Sequence, residues 1–377
     1  MKPISWVHTA DLHLDEPMKR VTHVQQRRQE HRQTFQRIIS LIKDRHIPFF
    51  FIAGDFLEHG SVTPSTVEFV KTCFKEIADT QILISPGNHD PFRKDSVYAS
   101  EQWPENVHIF QGDWESISFP EYDLHIYGRG FTEFREPEWI APPQVHSTGK
   151  KIMVVHGDFS SQDHVSSEYF PLRKNELAPL EMDYIALGHI HKAYETRLEN
   201  RRKTLVRYPG SPEALSWKET GTRTITIGEM TDESLRIEEI PIQTRTYEKH
   251  FIDVSGYETV ETLRDEIVQQ TQSSSKESYH RFVLSGRRSI HLQLSEDTCH
   301  WLSQQLEELG FYSVVWEDET LPDFDLDYLR QQSDVIGAFI RLVEKRLAHA
   351  QTDVEREEYE LALRKGLEAL YAREIAT

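Results

Sequence analysis

The sequence contains only two cysteines, Cys73 and Cys299, among 377 residues. Two thiols so far apart supply neither a disulfide framework nor a zinc site built from cysteine. The sequence also lacks any apolar run long enough to cross a bilayer. Its start, Met1-Lys2-Pro3-Ile4, leads directly into a predicted strand and shows no signal-peptide pattern. These absences predict a cytoplasmic protein that does not enter a membrane.

Positive charge is scarce relative to negative charge, since 43 Lys and Arg face 62 Asp and Glu, for a net charge of −19. The net charge therefore argues against binding of nucleic acid through overall electrostatic attraction. A local basic surface could still bind nucleic acid. Two groups of basic residues offer such a surface: Lys19, Arg20, Arg27, Arg28, Arg32 and Arg37, and Arg201, Arg202, Lys203 and Arg207. The plainer alternative is that both are solvated helix faces or loops.

The sequence has no G-x-x-x-x-G-K phosphate loop, so the chain is not expected to be an ATPase. Gly128-Arg129-Gly130 is an isolated G-x-G without the rest of a dinucleotide fingerprint. The sequence therefore predicts neither a phosphate-loop fold nor a dinucleotide-binding fold.

Short β-forming runs alternate with helical periodicity over the first 90 residues, which predicts a parallel sheet with right-handed crossovers. The predicted strands are Ile4–His8, Phe49–Ala53 and Ile82–Ser85, with helices over residues 23–45 and after Thr63-Pro64. Further strands are predicted at 107–110, 124–127, 152–155, 184–187, 204–208, 222–228 and 235–240. These later strands predict a second sheet, so the predicted fold class is a mixed α/β sandwich.

The length predicts two or three domains. We divide the chain into an α/β domain over residues 1–243, a small α+β domain over 244–322 and a C-terminal helical segment over 323–377. In the small domain we predict strands at 250–254, 281–285 and 290–294 and helices at 258–271 and 296–309. The last segment is predicted to form two amphipathic helices, one capped by Ser333 and one by Thr352-x-x-Glu355.

Side chains that bind divalent metals follow the predicted strands of the first domain. Seven candidate ligands share this placement: Asp11, His13, Asp55, Asn88, His156, His189 and His191. Loops at the carboxyl ends of strands in an α/β sheet converge on one crevice, so we expect these side chains to meet. Asp11 and His13 are two residues apart, as are His189 and His191, and an extended backbone would point each pair the same way.

Seven donors are too many for one tetrahedral ion and suit two metals that share a carboxylate. We predict that Asp55, on the middle strand, is the shared ligand. Two ions about 3.5–4 Å apart can bind a phosphate, activate water and stabilise the leaving oxygen. Taken singly, Asp-x-His and Gly-Asp are common loop sequences, whereas Gly87-Asn88-His89-Asp90 is rarer. The prediction therefore depends on the whole ordered set.

The ordered motifs D-x-H, GD, GNHD, H and GH-x-H, over roughly residues 8–191, resemble the calcineurin-like metallophosphoesterases. Residues 8–14, 186–192 and 208–217 resemble more narrowly the SbcD-type DNA-repair exonucleases. The resemblance implies two divalent ions, usually Mn²⁺, and a DNA end as substrate. It also implies that the first ion is held by Asp11, His13, Asp55 and His191, and the second by Asp55, Asn88, His156 and His189.

The same resemblance implies roles for two further residues. His89 would face the scissile phosphate and assist departure of the leaving oxygen, and Asp90 would orient or charge-stabilise His89. One position departs from the pattern, because several relatives carry a His where this chain has Glu58, followed by His59. Strand polarity and the choice between exo- and endonuclease are therefore left open.

The resemblance implies partners as well. Relatives are often dimers and work with an SMC-like ATPase of the SbcC type, which docks on helices after the cap. The amphipathic pair at 333–350 and 353–373 is the expected docking surface, and the alternative is that the two helices pack on each other or on the protein's own core.

Two other functions stay open at this point. Phosphatases and cyclic-nucleotide phosphodiesterases share the five motifs, and a non-catalytic scaffold for DNA or an ATPase would need only part of the site.

Overall fold

The computed structural model describes residues 3–17, 24–142, 145–146, 148–162, 166–289, 291–323 and 326–374. It divides into two compact units, Met1–Thr246 and Tyr247–Thr377, which are described separately. The three-part division of the chain stays a prediction.

The first unit contains most of the strands. In chain order they are β1 Ile4–Thr9, β2 Phe49–Ile52, β3 Gln81–Ile84, β4 Val107–Ile109, β5 Glu115–Phe119, β6 Leu124–Gly128, β7 Lys150–His156, β8 Asp158–Ser160, β9 Pro171–Arg173, β10 Tyr184–Gly188, β11 Tyr194–Arg197, β12 Leu205–Tyr208, β13 Thr224–Met230 and β14 Leu235–Pro241. The helices are α1 Val24–Asp44, α2 Pro64–Glu76, α3 Val97–Ser100 and α4 Lys174–Leu177, with 3₁₀ helices at Pro120–Tyr122 and Ala178–Leu180.

Two six-stranded sheets form this unit, in the orders β14-β13-β1-β2-β3-β4 and β11-β12-β10-β7-β6-β5. Strands β1 to β4 are parallel to one another, as are β6, β7, β10 and β12. Antiparallel pairs form one edge of the first sheet, opposite β4, and both edges of the second. Parallel strands covered on both faces consist of near-continuous apolar residues. The fully buried Phe49–Ile52 run is one example, and the predicted α/β sandwich is confirmed.

The inner faces of the two sheets share one hydrophobic core. Trp6 and Phe51 of the first sheet pack in the same cluster as Val154, Tyr184 and Ala186 of the second. The outer face of the first sheet is covered by α1 and α2, whose buried residues recur at helical spacing. Thr63 caps α2 as predicted, because its side chain accepts a hydrogen bond from the Thr66 N–H. This packing fixes the strand ends that carry the predicted ligands.

The second unit has a parallel three-stranded sheet and a helical end. Its elements are β15 Tyr247–Asp253, α5 Val260–Gln270, β16 Tyr279–Ser285, β17 Arg287–Arg288, α6 Glu296–Glu308, β18 Ser313–Asp318, β19 Leu321–Pro322, α7 Leu326–Gln331, α8 Val335–Leu347 and α9 Asp353–Glu374. The sheet order is β15-β16-β18, and β17 pairs with β19.

Two predictions for the second unit are wrong in detail. The third strand of its sheet is β18, whereas residues 291–294 are not a strand, and Ile290 lies outside the described residues. The alternating Leu292 and Leu294 anchor a loop on the core instead. The cap of α8 is Asp334 rather than Ser333, because the Asp334 carboxylate accepts the Gly337 N–H at 2.8 Å.

The apolar stripes predicted on the two C-terminal helices face each other. Ile336 and Ile340 of α8 lie in one cluster with Leu363 and Leu367 of α9. The two apolar stripes therefore pack against each other within the second unit. A partner that binds these helices would have to contact other side chains.

Basic side chains considered as a DNA-facing surface are partly engaged inside the first unit. Arg27 is buried and binds the Glu213 carboxylate at 3.1 Å. Arg207 is also buried and binds Glu239 at 2.6 Å. These two guanidinium groups stabilise the fold, and residues 19–20 of the same prediction lie outside the described residues.

Among the residues that the structure describes, none of the helices combines the length and the apolar composition that a bilayer crossing requires.

Stability of the first unit should decrease in acid because of His8. The His8 ring is fully buried and lies 2.8 Å from the Tyr184 hydroxyl and 3.1 Å from the Leu187 carbonyl. Burial, with the Arg207 charge nearby, lowers the pKa of His8 to about 3. The pKa of a histidine in an unfolded chain is about 6.5. Between pH 6.5 and 3 the unfolded chain therefore binds a proton at His8 that the folded chain does not bind.

We expect this group alone to lower the free energy of unfolding by about 3 kcal/mol between pH 7 and pH 4. Urea denaturation at both pH values measures it. His8→Gln should reduce the difference between the two pH values, and His300→Gln, at an exposed position on α6, should leave it unchanged. An equal pH dependence in wild type and His8→Gln would contradict the assignment.

Candidate metal centre

The structure brings all seven predicted ligands to one edge of the sandwich. Five segments supply them, each directly after the carboxyl end of β1, β2, β3 or β10 or at the last residue of β7. Two groups have donor atoms within 4.8 Å of one another: Asp11, His13 and His191, and Asp55, His156 and His189. Asn88 joins the second group, since its Oδ1 lies 2.9 Å from His156 Nε2.

Asp55 connects the two groups. Its Oδ2 lies 3.7 Å from His13 Nε2 on one side and 3.4 Å from His156 Nε2 on the other. Its Oδ1 accepts the His89 N–H at 2.8 Å, which fixes the orientation of the carboxylate. The side chain is 2% exposed. A carboxylate in this position can be shared by two cations.

In the first group, the His13 and His191 imidazoles both direct Nε2 towards the same point. The Nε2 atoms of His13 and His191 are 3.3 Å apart. His13 Nδ1 lies 2.6 Å from Glu58, and His191 Nδ1 lies 2.9 Å from Glu219. A proton on each Nδ1 leaves both Nε2 lone pairs facing each other, an arrangement that a cation between them satisfies. The donor set therefore fits a metal ion.

His156 shows the same arrangement in the second group. Its Nδ1 donates to the Ala53 carbonyl at 2.9 Å, so its Nε2 faces the acceptor oxygens of Asn88 and Asp55. Acceptors that face one another in a buried site need a proton or a metal ion between them. Nitrogen and oxygen donors in this combination suit divalent ions such as Mn²⁺ or Zn²⁺.

The backbone at the ligands is not extended, contrary to the prediction for Asp11 and His13. Both have positive φ, at 54° and 45°, and Asp55 does as well, at 49°. Left-handed conformations are costly for residues other than glycine and persist where the surroundings hold them. Here the Asp11 N–H donates to the Gly54 carbonyl and the His13 N–H to the Asp55 carbonyl. Hydrogen bonds between neighbouring loops thus place the two side chains.

Two glycines permit the close approach of these loops. Gly54 has φ 87°, and a Cβ at this position would overlap the His156 ring. A Cβ on Gly188 would overlap the Ala53 carbonyl oxygen, so the end of β10 could not approach the end of β2. A side chain at either position would separate the two groups of ligands.

Acidic and imidazole groups alter each other's protonation in this centre. Burial alone would raise the pKa of Asp55, but His156 and His13 outweigh it and hold that pKa well below its usual range. Burial alone would lower the pKa of His156, but Asp55 and Asp11 outweigh it and raise that pKa to about 9. Binding of a metal by His156 must therefore release a proton at neutral pH.

His89 lies beside the two groups and is more exposed. Its side chain is 46% exposed, and its Nδ1 lies 3.0 Å from Glu58 Oε1. The hydrogen bond that its Nδ1–H donates to the Glu58 carboxylate raises the pKa of His89 to about 9. Its ring meets His13 edge-on at 4.7 Å. A protonated imidazole at the opening of the centre can donate a proton to a bound ligand.

Asp90 is predicted to orient or charge-stabilise His89. Its charge is one of the causes that raise the pKa of His89, but its hydrogen bonds go to other groups. The buried Asp90 carboxylate accepts the N–H groups of Asp55, Phe56, Leu57 and Gly87 and the Tyr98 hydroxyl. All five donors belong to the scaffold under the ligands. Glu58 holds His89 instead, and Asp90 fixes the loops after β2 and β3.

Three carboxylates at the centre were not predicted as functional residues. Glu58 and Glu219 orient ligand imidazoles, and Glu16 forms a third cluster of donor atoms with His13, Glu58 and His89. The sequence marks Glu58 only as a departure from the family pattern. Glu219 follows His191 by 28 residues, and no spacing rule connects the two.

Glu219→Gln tests the orienting role. The amide cannot act as a charged acceptor for His191 Nδ1, so we expect Mn²⁺ affinity to fall by about 10- to 100-fold, as for other partners of ligand histidines. Isothermal titration with Mn²⁺ measures this. Glu238→Gln, in a side chain 58% exposed, is the matched control, and equal affinities for both variants would argue against the role.

Comparison with known proteins places these residues in a family. The profile of the calcineurin-like phosphoesterases matches residues 5–193, which include all seven predicted ligands. The uncharacterized metallophosphoesterase YhaO of Bacillus subtilis is 28% identical over 274 residues, covering 69% of this chain and 65% of that protein. The DNA double-strand break repair protein Mre11 of Methanopyrus kandleri is 22% identical over 236 residues, covering 56% of this chain and 49% of that protein.

The chain thus spans about two thirds of the first relative and half of the second. Among solved structures, purple acid phosphatase PPD1 from yellow lupin (Lupinus luteus) seeds has a TM-score of 0.40 at 13% identity, covering 64% of this chain and 52% of that one.

Proposed function

The chain belongs to the calcineurin-like phosphoesterase family, and from this premise we propose that it is a phosphodiesterase that uses two divalent ions, Mn²⁺ by preference, to cleave DNA. Family membership gives the reaction class, which is metal-dependent phosphoester hydrolysis. The observation that supports two ions best is the position of Asp55 Oδ2 between His13 and His156.

In this proposal Asp55 is shared by the two sites. Asp11, His13, Asp55 and His191 would hold one ion, and Asp55, Asn88, His156 and His189 would hold the other. When bound, the ions supply positive charge that binds phosphoryl oxygens and makes water a better nucleophile. Glu58 and Glu219 keep the Nε2 atoms of His13 and His191 directed at the first site.

His89 is the proposed proton donor. Its Nδ1 is held by Glu58, so its Nε2 is the ring nitrogen from which a proton would pass to the leaving oxygen. The raised pKa keeps this imidazole protonated near neutral pH. The side chain is exposed enough to reach a phosphate that is bound at the centre.

DNA is proposed as the substrate on two grounds. Residues 208–217 resemble the SbcD-type exonucleases, and one relative is a DNA double-strand break repair protein. This stretch supports the centre: the Tyr208 hydroxyl donates to the Gly157 carbonyl after His156, and Ser211 Oγ donates to Glu219. A role in DNA repair follows from the same proposal.

A substrate panel tests the function. Full-length protein with Mn²⁺ should shorten end-labelled single- or double-stranded DNA, and the label pattern would give polarity and exo- or endonuclease mode. Cleavage of a cyclic nucleotide or a phosphomonoester without cleavage of DNA would overturn the choice of substrate. A wild type that binds metal but cleaves no phosphoester would favour a scaffold.

An SbcC-type SMC ATPase is the proposed partner. Because the buried stripes of α8 and α9 face each other, docking would use exposed apolar side chains such as Val335 and Leu342, which are 70% and 57% exposed. Val335→Glu with Leu342→Glu should reduce co-purification with a purified ATPase of this type by about tenfold or more, since burying two charges costs several kcal/mol. Undiminished binding would place the contact elsewhere.

A further inference from the structure

A second group of metal-binding side chains lies in the second unit. β15 and β16 are parallel neighbours in which Glu248 pairs with His280 and His250 pairs with Phe282. Side chains two residues apart on a strand share a face, so Glu248, His250 and His280 lie on the same side of the sheet. All three have donor atoms within 4.8 Å of one another.

The distances are close to those of a coordinated ion. His250 Nε2 lies 2.9 Å from His280 Nδ1 and 3.8 Å from Glu248 Oε2. Ligands of a tetrahedral zinc ion are about 3.3 Å apart, since each lies about 2.0–2.1 Å from the metal. The two separations from His250 lie on either side of that value, and shifts of about half an ångström would bring both to it.

Hydrogen bonds orient two of the three side chains from behind. His280 Nε2 donates to the Ser275 carbonyl at 3.0 Å, which leaves the Nδ1 lone pair directed at His250. Ser278 Oγ donates to Glu248 Oε1 at 2.8 Å, and the other carboxylate oxygen faces His250. A histidine that donates its second ring N–H to a carbonyl and a carboxylate held by a donor are both typical of metal ligands.

Aromatic packing holds the two imidazoles at the rim of the core. The His250 ring stacks on Phe282 at 4.9 Å, and His280 packs edge-on against Phe311 at 4.9 Å. His280 is fully buried, whereas the side chains of His250 and Glu248 are 14% and 25% exposed. An ion could therefore enter from solvent and reach a partly apolar site.

We propose that Glu248, His250 and His280 bind one divalent transition-metal ion, with zinc the best match, at a second metal site whose ligands all belong to the second unit. Two imidazole nitrogens and one carboxylate oxygen are a ligand set that zinc takes, with water in the fourth position. The ion would cross-link β15 to β16, and this cross-link supplements the small core of the second unit. The alternative is a direct hydrogen bond between the two imidazoles.

Zinc stoichiometry of the full-length protein tests the proposal. Chelator-treated protein is reloaded with Zn²⁺, passed through gel filtration and analysed for metal. We expect His250→Gln and His280→Gln each to retain one zinc ion fewer per chain than wild type. The control His300→Gln, an exposed histidine of the same unit, should match wild type. Equal stoichiometry in all four proteins would overturn the site in favour of the hydrogen bond.

Two further measurements keep the test decisive. Glu248→Gln removes a partly exposed donor and should lose the same ion even if a histidine variant fails to fold, as judged by circular dichroism. Hydrolysis of a generic phosphodiester with Mn²⁺ should be unchanged in the folded variants, because none of the three residues is proposed as a ligand or proton donor of the catalytic centre. A Glu248→Gln protein that keeps the full zinc content would also contradict the proposal.

Discussion

Asp55→Asn should abolish phosphodiester hydrolysis, with a loss of at least about 1,000-fold in rate. Two bound ions contribute several kcal/mol to the transition state, and about 1.4 kcal/mol corresponds to each factor of ten. Asparagine preserves the shape and can still accept the His89 N–H through its oxygen. It removes the charge that His13 and His156 both face, so both ions should bind more weakly.

The measurement pairs the initial rate on a generic phosphodiester with the Mn²⁺ content after gel filtration. Asp79→Asn, in an exposed turn of the first unit, makes the same chemical change away from the centre and should behave as wild type. An Asp55→Asn protein with two retained ions and a normal rate would remove the basis for the two-metal proposal.

The arrangement of the first unit could be predicted because its signals are local. Phe49–Ile52 is a continuous apolar run that follows a segment with helical periodicity. Such a run is typical of a strand buried on both faces. The predicted ligands directly follow the strands. Because loops at the carboxyl ends of strands converge, the sequence predicted that Asp11 and Asp55 lie close together. Asp11 and Asp55 themselves adopt positive φ, which no local pattern indicated.

The supporting residues could not be predicted because their contacts are distant in sequence. Glu58 binds His13 across 45 residues, and Glu219 binds His191 across 28. Asp90 illustrates the opposite error. It adjoins His89 in sequence, yet five donors from the scaffold occupy its oxygens. Adjacency in sequence did not indicate these donors, of which only Gly87 belongs to the same motif as Asp90.

The C-terminal helices show a related limit. An apolar stripe must be covered, but the pattern does not specify what covers it. Ile340 and Leu367 cover each other. The strand Ser313–Asp318 was missed in the second unit because its partly exposed residues alternate weakly, and its place in the sheet depends on pairing with β16.

His89→Ala should separate chemistry from metal binding. The His89 side chain contacts Glu58 and packs on His13. It is not part of either group of predicted ligands, although its donor atom forms a cluster with His13, Glu16 and Glu58. Both catalytic ions should therefore stay bound. Loss of a general acid typically costs about 100- to 10,000-fold in rate, and the loss should appear in kcat more than in KM because the proton is transferred in the transition state.

The pH dependence distinguishes a proton donor from a side chain that only shapes the opening. Glu58 raises the pKa of His89, so the wild-type rate should fall on the alkaline side as His89 loses its proton, and His89→Ala should lack that decrease. A phosphodiester with a good leaving group, which needs no protonation, should restore much of the lost rate. His59→Gln, in a side chain 18% exposed that lies 3.7 Å from Asp95, is the control and should keep the alkaline decrease. If His89→Ala cleaves every substrate at the wild-type rate, the proton that reaches the leaving oxygen comes from another group.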